Sequence, residues 1–142
     1  MPRKFLDGLE ELLRDAAALI PVNPQPVILT GEYIPENFLL DCPGDNWRLA
    51  GLIDFGDVQT GWCEYDLLGP SVFMAGGISR RVYSLFEGFG YSRGDLNFEL
   101  KRRLMALIFL HRASNPVRQF CIPDWQNRAG DLIQLQELIW PD

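Results

Sequence analysis

Apolar residues recur at three- and four-residue steps between Lys4 and Ile20. Leu6, Leu9, Leu12, Leu13, Ala16, Ala17 and Ile20 fall on one side, and Glu10, Glu11, Arg14 and Asp15 fall on the other. That spacing predicts an amphipathic helix. Pro21, Pro24 and Pro26 end it, because proline has no N–H to donate and its ring blocks the preceding turn. The pattern then shortens. Val27 to Leu29 reads as an apolar strand, Thr30 to Asn37 as a polar loop, and a second strand starts at Asn37. A turn at Pro43-Gly44-Asp45-Asn46 leads into a long strand from Trp47 to Ile53.

Beyond Asp54 the helical period returns. Tyr65 to Ala75 carries Leu67, Leu68, Val72, Phe73 and Met74 as core positions. Ser79 to Phe89 carries Val82, Leu85, Phe86 and Phe89, with Ser79 as its cap and Gly88 or Gly90 as its stop. Asp95 to Arg112 is the most apolar stretch, with Leu96, Leu100, Leu104, Leu107, Ile108 and Leu110 inward and Arg102 and Arg103 outward. An irregular segment follows, with Pro116 and Pro123. A last helix, from about Trp125 to Trp140, places Leu132, Leu135, Leu138 and Ile139 inside. The expected fold is therefore α+β and mainly α: about five helices with a small β-hairpin, in one domain spanning 1–142.

The hairpin concentrates the candidate chemistry. Strands deliver their last residues to fixed points, so Glu32, Asn37 and Asp54 can converge at one end of it. Oxygen-bearing side chains gathered this way can hold a divalent cation and a hydroxyl nucleophile. A carboxylate such as Asp54, at the end of an apolar strand, is costly unless solvated, paired or metal-bound. The bland alternatives are a polar turn with Asn37 capping its own backbone and Asp54 capping the turn after it.

The order of three short motifs carries a resemblance. Thr30-Gly31-Glu32 is followed by Pro35 and Asn37, then by Ile53-Asp54-Phe55-Gly56-Asp57, then by Glu64-Tyr65-Asp66-Leu67. This resembles the catalytic segment of the aminoglycoside phosphotransferases, relatives of choline kinase, which share a protein-kinase-like C-terminal lobe. Glu32 and Asn37 keep the five-residue spacing of the kinase catalytic loop. The resemblance implies ATP and Mg2+ as cofactors, Glu32 as catalytic base, Asn37 and Asp54 as magnesium ligands, and Thr30 and Asp66 as structural support of the site. Two positions depart from it. Thr30 stands where the family has histidine, and Glu32 stands where it has aspartate. The extra methylene moves the carboxylate by roughly an ångström, a displacement that can cost about a hundredfold in rate.

Composition narrows the setting. At 47% hydrophobic and 23% charged residues the chain has the make-up of a folded globular protein, so wholesale disorder is not expected. The net charge of −6 argues against nucleic acid and anionic membranes as partners and suits a small cationic substrate, while the resemblance implies a hydroxyl-bearing one. Three cysteines without CxxC spacing give neither a disulfide framework nor a zinc site, and point to a reducing cytoplasm. The longest apolar run, Leu104 to Leu110, is too short to span a bilayer. His111, the lone histidine, is read as a helix-end residue, Glu64 as solvated, and Asp124, Asp131 and Glu137 as ordinary surface charges.

The only lysines, Lys4 and Lys101, sit in helical patterns, so none is expected to pair a nucleotide's phosphates from a strand. Gly88-Phe89-Gly90 is no phosphate cradle either. The resemblance thus covers a C-terminal lobe whose nucleotide lobe is absent. Three functions stay open: a phosphotransferase completed by an N-lobe-like partner chain or region, a catalytically dead pseudokinase-like binding module or homodimer, and a stable remnant. An unpaired lobe is expected to expose apolar surface, which favours association.

Overall fold

A computed structural model describes residues 1–111 and 115–142. Among these, the chain runs α1 (Arg3–Leu6), α2 (Leu9–Ala17), β1 (Pro26–Leu29), β2 (Phe38–Asp41), β3 (Arg48–Leu52), β4 (Gln59–Trp62), α3 (Glu64–Phe73), α4 (Ser79–Gly88), α5 (Phe98–Leu110), α6 (Pro116–Gln119), α7 (Trp125–Arg128) and α8 (Leu132–Ile139). Single 3-10 turns precede β2 and α5, at Pro35–Asn37 and Arg93–Asp95. The class is α+β and mainly helical, as the periodicity implies, but with more and shorter helices. Two predicted helices are each split at a glycine. Asp7-Gly8 parts α1 from α2, and Ala129-Gly130 parts α7 from α8. Glycine inside a helix costs about 1 kcal/mol relative to alanine, so a short helix can end there and re-aim its apolar face. In consequence Leu6 is exposed and Phe5, which the single-helix reading leaves off the inner face, is fully buried.

The core is built around α5. Leu100, Leu104, Met105, Ala106 and Leu107 lie buried together with Leu12 and Ala16 of α2, Leu67, Leu68 and Val72 of α3, Val82 and Phe86 of α4, and Leu135 and Ile139 of α8. Asn97 caps α5, its Oδ1 accepting from the Leu100 N–H at 3.0 Å. The helix ends at Leu110, whose side chain is exposed instead of inward; the expected end at Arg112 lies outside the described residues.

Arg102 and Arg103 do not point to water. Arg102 is buried with its Nη2 2.9 Å from Asp15, and Arg103 forks onto Glu64 at 2.6 and 2.8 Å. Glu64, expected in solvent, is only 3% exposed and also accepts from the Tyr91 hydroxyl at 2.9 Å. These partners stand 39, 27 and 87 residues apart, so no local periodicity can announce them. Lys101 is buried likewise, between Glu137 at 2.6 Å and Asp142 at 2.8 Å. Asp131 caps α8 by accepting from the Gln134 N–H.

Four strands form two separate antiparallel ribbons rather than one hairpin. β2 and β3 make the expected hairpin, in register Phe38 opposite Leu52 and Asp41 opposite Arg48, with an irregularity between Leu39 and Leu40. β1 instead pairs with β4, Leu29 opposite Gln59 and Pro26 opposite Trp62. Helix α4 ends as its glycines imply. Gly90 takes φ +90°, the Gly90 N–H reaches the Glu87 carbonyl and the Tyr91 N–H reaches that of Phe86, each at 3.0 Å. Ser79 is the first helical residue and not the cap.

Candidate functional site at the mouth of the hairpin

The site is laid out by where β1 stops. Thr30 leaves the strand, and Gly31 follows with φ +80°. A Cβ at Gly31 would lie 2.6 Å from the Asp57 carbonyl oxygen, so only glycine lets the 30–32 backbone pass so close to the 57–58 backbone. Asp66, in the first turn of α3, reaches across this gap. Its Oδ2 accepts from the Thr30 N–H at 2.9 Å and the Thr30 hydroxyl at 3.3 Å, and its Oδ1 accepts from the Gly31 N–H at 3.2 Å. A carboxylate that accepts several N–H and O–H groups fixes the backbone that supplies them.

Glu32 comes next. Its carbonyl accepts from the Ile34 N–H at 3.0 Å and from the Asn37 Nδ2 at 3.1 Å. Its carboxylate is half-buried and takes no side-chain hydrogen bond among the described residues. Asn37 is buried at the end of the 3-10 turn, and its carbonyl accepts the Ile53 N–H at 3.0 Å. That bond extends the β2–β3 pairing by one step and lays Asn37 beside the residue that precedes Asp54. The Asp54 side chain is exposed, its backbone stands at φ +62°, and its Oδ1 is 3.4 Å from the Gly56 N–H. Side chains other than glycine rarely hold this left-handed geometry, and such strain gathers at functional sites.

Thr30, Glu32, Asn37, Asp54 and Asp66 are thus linked in one neighbourhood: Thr30 to Asp66 directly, Glu32 to Asn37 directly, and Asn37 to the strand end that carries Asp54. Among the described residues no group of three or more His, Cys, Asp or Glu side chains could hold a metal ion. Beside Glu32 and the engaged Asp66, the hairpin end carries two further oxygen-bearing side chains, the exposed Asp54 carboxylate and the buried Asn37 carboxamide. Mg2+ retains several waters and is commonly held by one or two carboxylates plus substrate phosphates, and so few side-chain donors suit it better than they suit a cation needing a full protein cage. Neither lysine reaches the site. Lys4 Nζ donates to the Ala129 carbonyl at 2.6 Å, and Lys101 is held in its buried ion pairs.

Against the 30–34 loop lies an open cavity of about 190 Å3, lined by α3, the end of α5 and Gln119 of α6. Sequence reasoning did not anticipate it. Tyr33 stacks on Phe38 at 6.0 Å and meets Phe89 edge-on at 6.2 Å, while Tyr65 lies 6.0 Å from the His111 ring. Aromatic residues flanking a polar loop were the available signal. The packing of His111 against Tyr65 has no counterpart in local spacing.

Set against known proteins, the chain gives one finding. No curated protein and no solved structure matches it. A family model described as the phosphotransferase enzyme family, APH, matches residues 2–75, which is just over half of the chain. All five residues of the neighbourhood fall inside that stretch. On this match, the chain belongs to the phosphotransferase enzyme family.

Proposed function

We propose that this chain contributes the metal-gripping and hydroxyl-activating half of an ATP- and Mg2+-dependent phosphate transfer to a small-molecule hydroxyl, on a protein-kinase-like C-terminal lobe. The observation that supports this most is the bond from the Ile53 N–H to the Asn37 carbonyl, which brings Asn37 and Asp54 to the same end of one hairpin. Asn37 and Asp54 would hold magnesium, which when bound supplies positive charge to a nucleotide's phosphates. Asn37 has a second task, because its Nδ2 holds the Glu32 carbonyl and so fixes where the Glu32 side chain starts. Glu32, with no competing side-chain partner among the described residues, would accept the proton of the acceptor hydroxyl. Asp66 holds Thr30 and Gly31 against α3, so the loop that carries Glu32 is positioned before substrate arrives. Neither lysine is placed to meet the nucleotide phosphates, so cations for them would come from arginines, a partner chain or another region.

Calorimetric titration with Mg·ATP tests this reading. Saturable heat that disappears in Asp54→Ala, with the far-ultraviolet dichroism unchanged, is the expected result. No heat at millimolar nucleotide would remove the enzymatic reading for the isolated chain.

One observation favours a second reading, a pseudokinase-like interaction module or homodimer. No residue of β2 or β3 is buried, and Leu39, Leu40, Trp47 and Leu49 are all exposed, Trp47 by 72%. A two-stranded ribbon is marginal in water without a third strand or a packed face, so such a surface suits an association partner.

A further inference from the structure

The face made by the end of α3 and the start of α4 takes no part in the candidate site. An open groove of about 640 Å3 runs there, and none of Thr30, Glu32, Asn37, Asp54 or Asp66 lines it. Its floor is carbon. Pro70 and Ala75 are buried, Met74 and Leu85 half-buried, and Ile78 is exposed. Ile78 and Leu85 stand seven residues apart, so they lie one above the other along α4 with a rise of about 10 Å. Val82 and Phe86 turn the adjoining stripe of the same helix into the core. The floor is also held in place. Gly77 takes φ +80°, its N–H reaches the Ile139 carbonyl at 2.8 Å, and the Ile78 N–H reaches the Ala75 carbonyl at 3.2 Å. The turn between the two helices is thus tied to α8, and a partner need not order it on arrival.

Charge decides what suits this groove. Arg80 and Arg81 stand exposed on its rim, in the first turn of α4, and make no ion pair among the described residues. Two guanidinium groups there oppose the positive end of the helix, whose first turn carries no acidic residue and whose cap residue offers no side-chain bond. The chain has acidic residues to spare, 19 against 13 basic, and Arg14, Arg48, Arg102 and Arg103 each meet one. Yet no carboxylate of the described residues lines the groove. A local conflict left uncompensated within the fold is one that a partner's negative charge can relieve. The net −6 of the whole chain is screened beyond about 8 Å at physiological salt, so the groups on the rim dominate what a docked partner feels.

One kind of partner answers both features. A helix presents an apolar stripe at i, i+3, i+4 and i+7 over about 10 Å, the length of this floor, and acidic residues beside that stripe would meet the two arginines. We infer that the α3–α4 groove docks an acidic amphipathic helix of a partner protein, with its apolar stripe on Met74, Ile78 and Leu85 and its carboxylates on Arg80 and Arg81.

Two synthetic amphipathic peptides test this, sharing one leucine stripe and differing only in glutamate or lysine on the flanks. Amide shifts of the isotope-labelled chain report their binding. The glutamate peptide is expected to move the signals of Met74, Ile78, Ser84 and Leu85 with a dissociation constant on the order of 0.1 mM. The lysine peptide is expected to bind at least about fivefold more weakly, and that difference should shrink as salt rises from about 0.05 to 0.5 M. Arg80→Glu together with Arg81→Glu should reverse the preference; acidic residues suit a first helical turn, so the fold is expected to hold. Ile78→Asp, which places a favoured cap residue where the floor loses its carbon, should weaken both peptides. Equal binding of the two peptides, no response to the glutamate peptide at millimolar concentration, or shifts confined to the β2–β3 hairpin overturns the inference. So does decanoate binding as tightly at the same signals, which would assign the groove to a small anionic amphiphile. Concentration-dependent shifts there without peptide would assign it to a second copy of the chain and overturn it likewise. Asp54→Ala should leave the peptide response unchanged, so this surface stands or falls apart from phosphate transfer.

Discussion

Asp54 holds a backbone conformation that costs an L-residue roughly 1–2 kcal/mol, eased for aspartate by local hydrogen bonding such as the contact to the Gly56 N–H. Alanine has no such relief. Asp54→Ala is therefore expected to lower stability by about 1 kcal/mol, while Asp54→Gly stays within about 0.5 kcal/mol of the parent. Urea midpoints measure both, and the glycine variant serves as the fold-neutral control for the proposed metal binding. Tyr91 carries a second prediction at this scale. Burial first, and then the Glu64 charge and hydrogen bond, push its phenol above the ordinary 10.0, with Arg103 pulling weakly the other way. Because the folded state keeps this proton longer than the unfolded chain, the stabilisation is whole below pH 10 and is lost as pH climbs through the higher folded value. Titrating the phenolate absorbance should show one of the four tyrosines ionising late, and Tyr91→Phe should remove that late step.

Glycines separate what the elements tolerate. Gly31 and Gly90 share a positive φ, but they differ in space: a Cβ at Gly90 meets nothing within 4 Å, and one at Gly31 runs into the Asp57 backbone. Gly90→Ala should cost only the conformational term, about 1 kcal/mol. Gly31→Ala should cost clearly more and loosen the loop that carries Glu32, as thermal melts and proteolysis of the 30–37 segment would report. The same level of structure explains what could be read in advance. The β2–β3 hairpin was legible because its apolar run and its Pro-Gly-Asp-Asn turn are local signals, and the boundaries of β3 differ from expectation by one residue at each end. β4 was not read, although Val58, Thr60 and Trp62 alternate with Gln59 and Gly61, because the run is brief and contains glycine. Its pairing with β1 spans thirty residues or more and depends on the tertiary fold. Helix splitting at Gly8 and Gly130 likewise reflects which partner each short apolar face meets.

Across the whole molecule, charge is handled by long-range pairs that no period reveals. Glu64 is held by Arg103 from α5 and by Tyr91 after α4, while the Arg103 guanidinium lies 5.5 Å from the Trp62 ring and bonds the Leu19 carbonyl. That single knot ties α3, α4, α5, the exit of α2 and β4. The Glu64 bond raises the Arg103 guanidinium above its ordinary value, outweighing burial, which acts in the opposite direction. Removing the cation leaves a buried carboxylate unpaired, so Arg103→Met should destabilise by about 3–5 kcal/mol, and Glu64→Gln in that background should recover part of it. A double-mutant cycle in urea measures the coupling. The residues of the candidate site were legible because short motifs in order carry them. The knot was missed because a helix face with two adjacent arginines looks solvated until its partners arrive from elsewhere in the chain.

The two ribbons are not hydrogen-bonded to each other, and this divides the site in a way its inventory of groups conceals. Glu32 is moored to the helical body through Asp66, whereas Asp54 rides on an unburied hairpin. Under the proposed function, the acid–base group and one cation-gripping group would therefore sit on separate ribbons, with the Asn37 carboxamide as the stitch between them. A partner docked against the outer face of that hairpin would then gain leverage over the spacing of the proposed site without touching a single group within it.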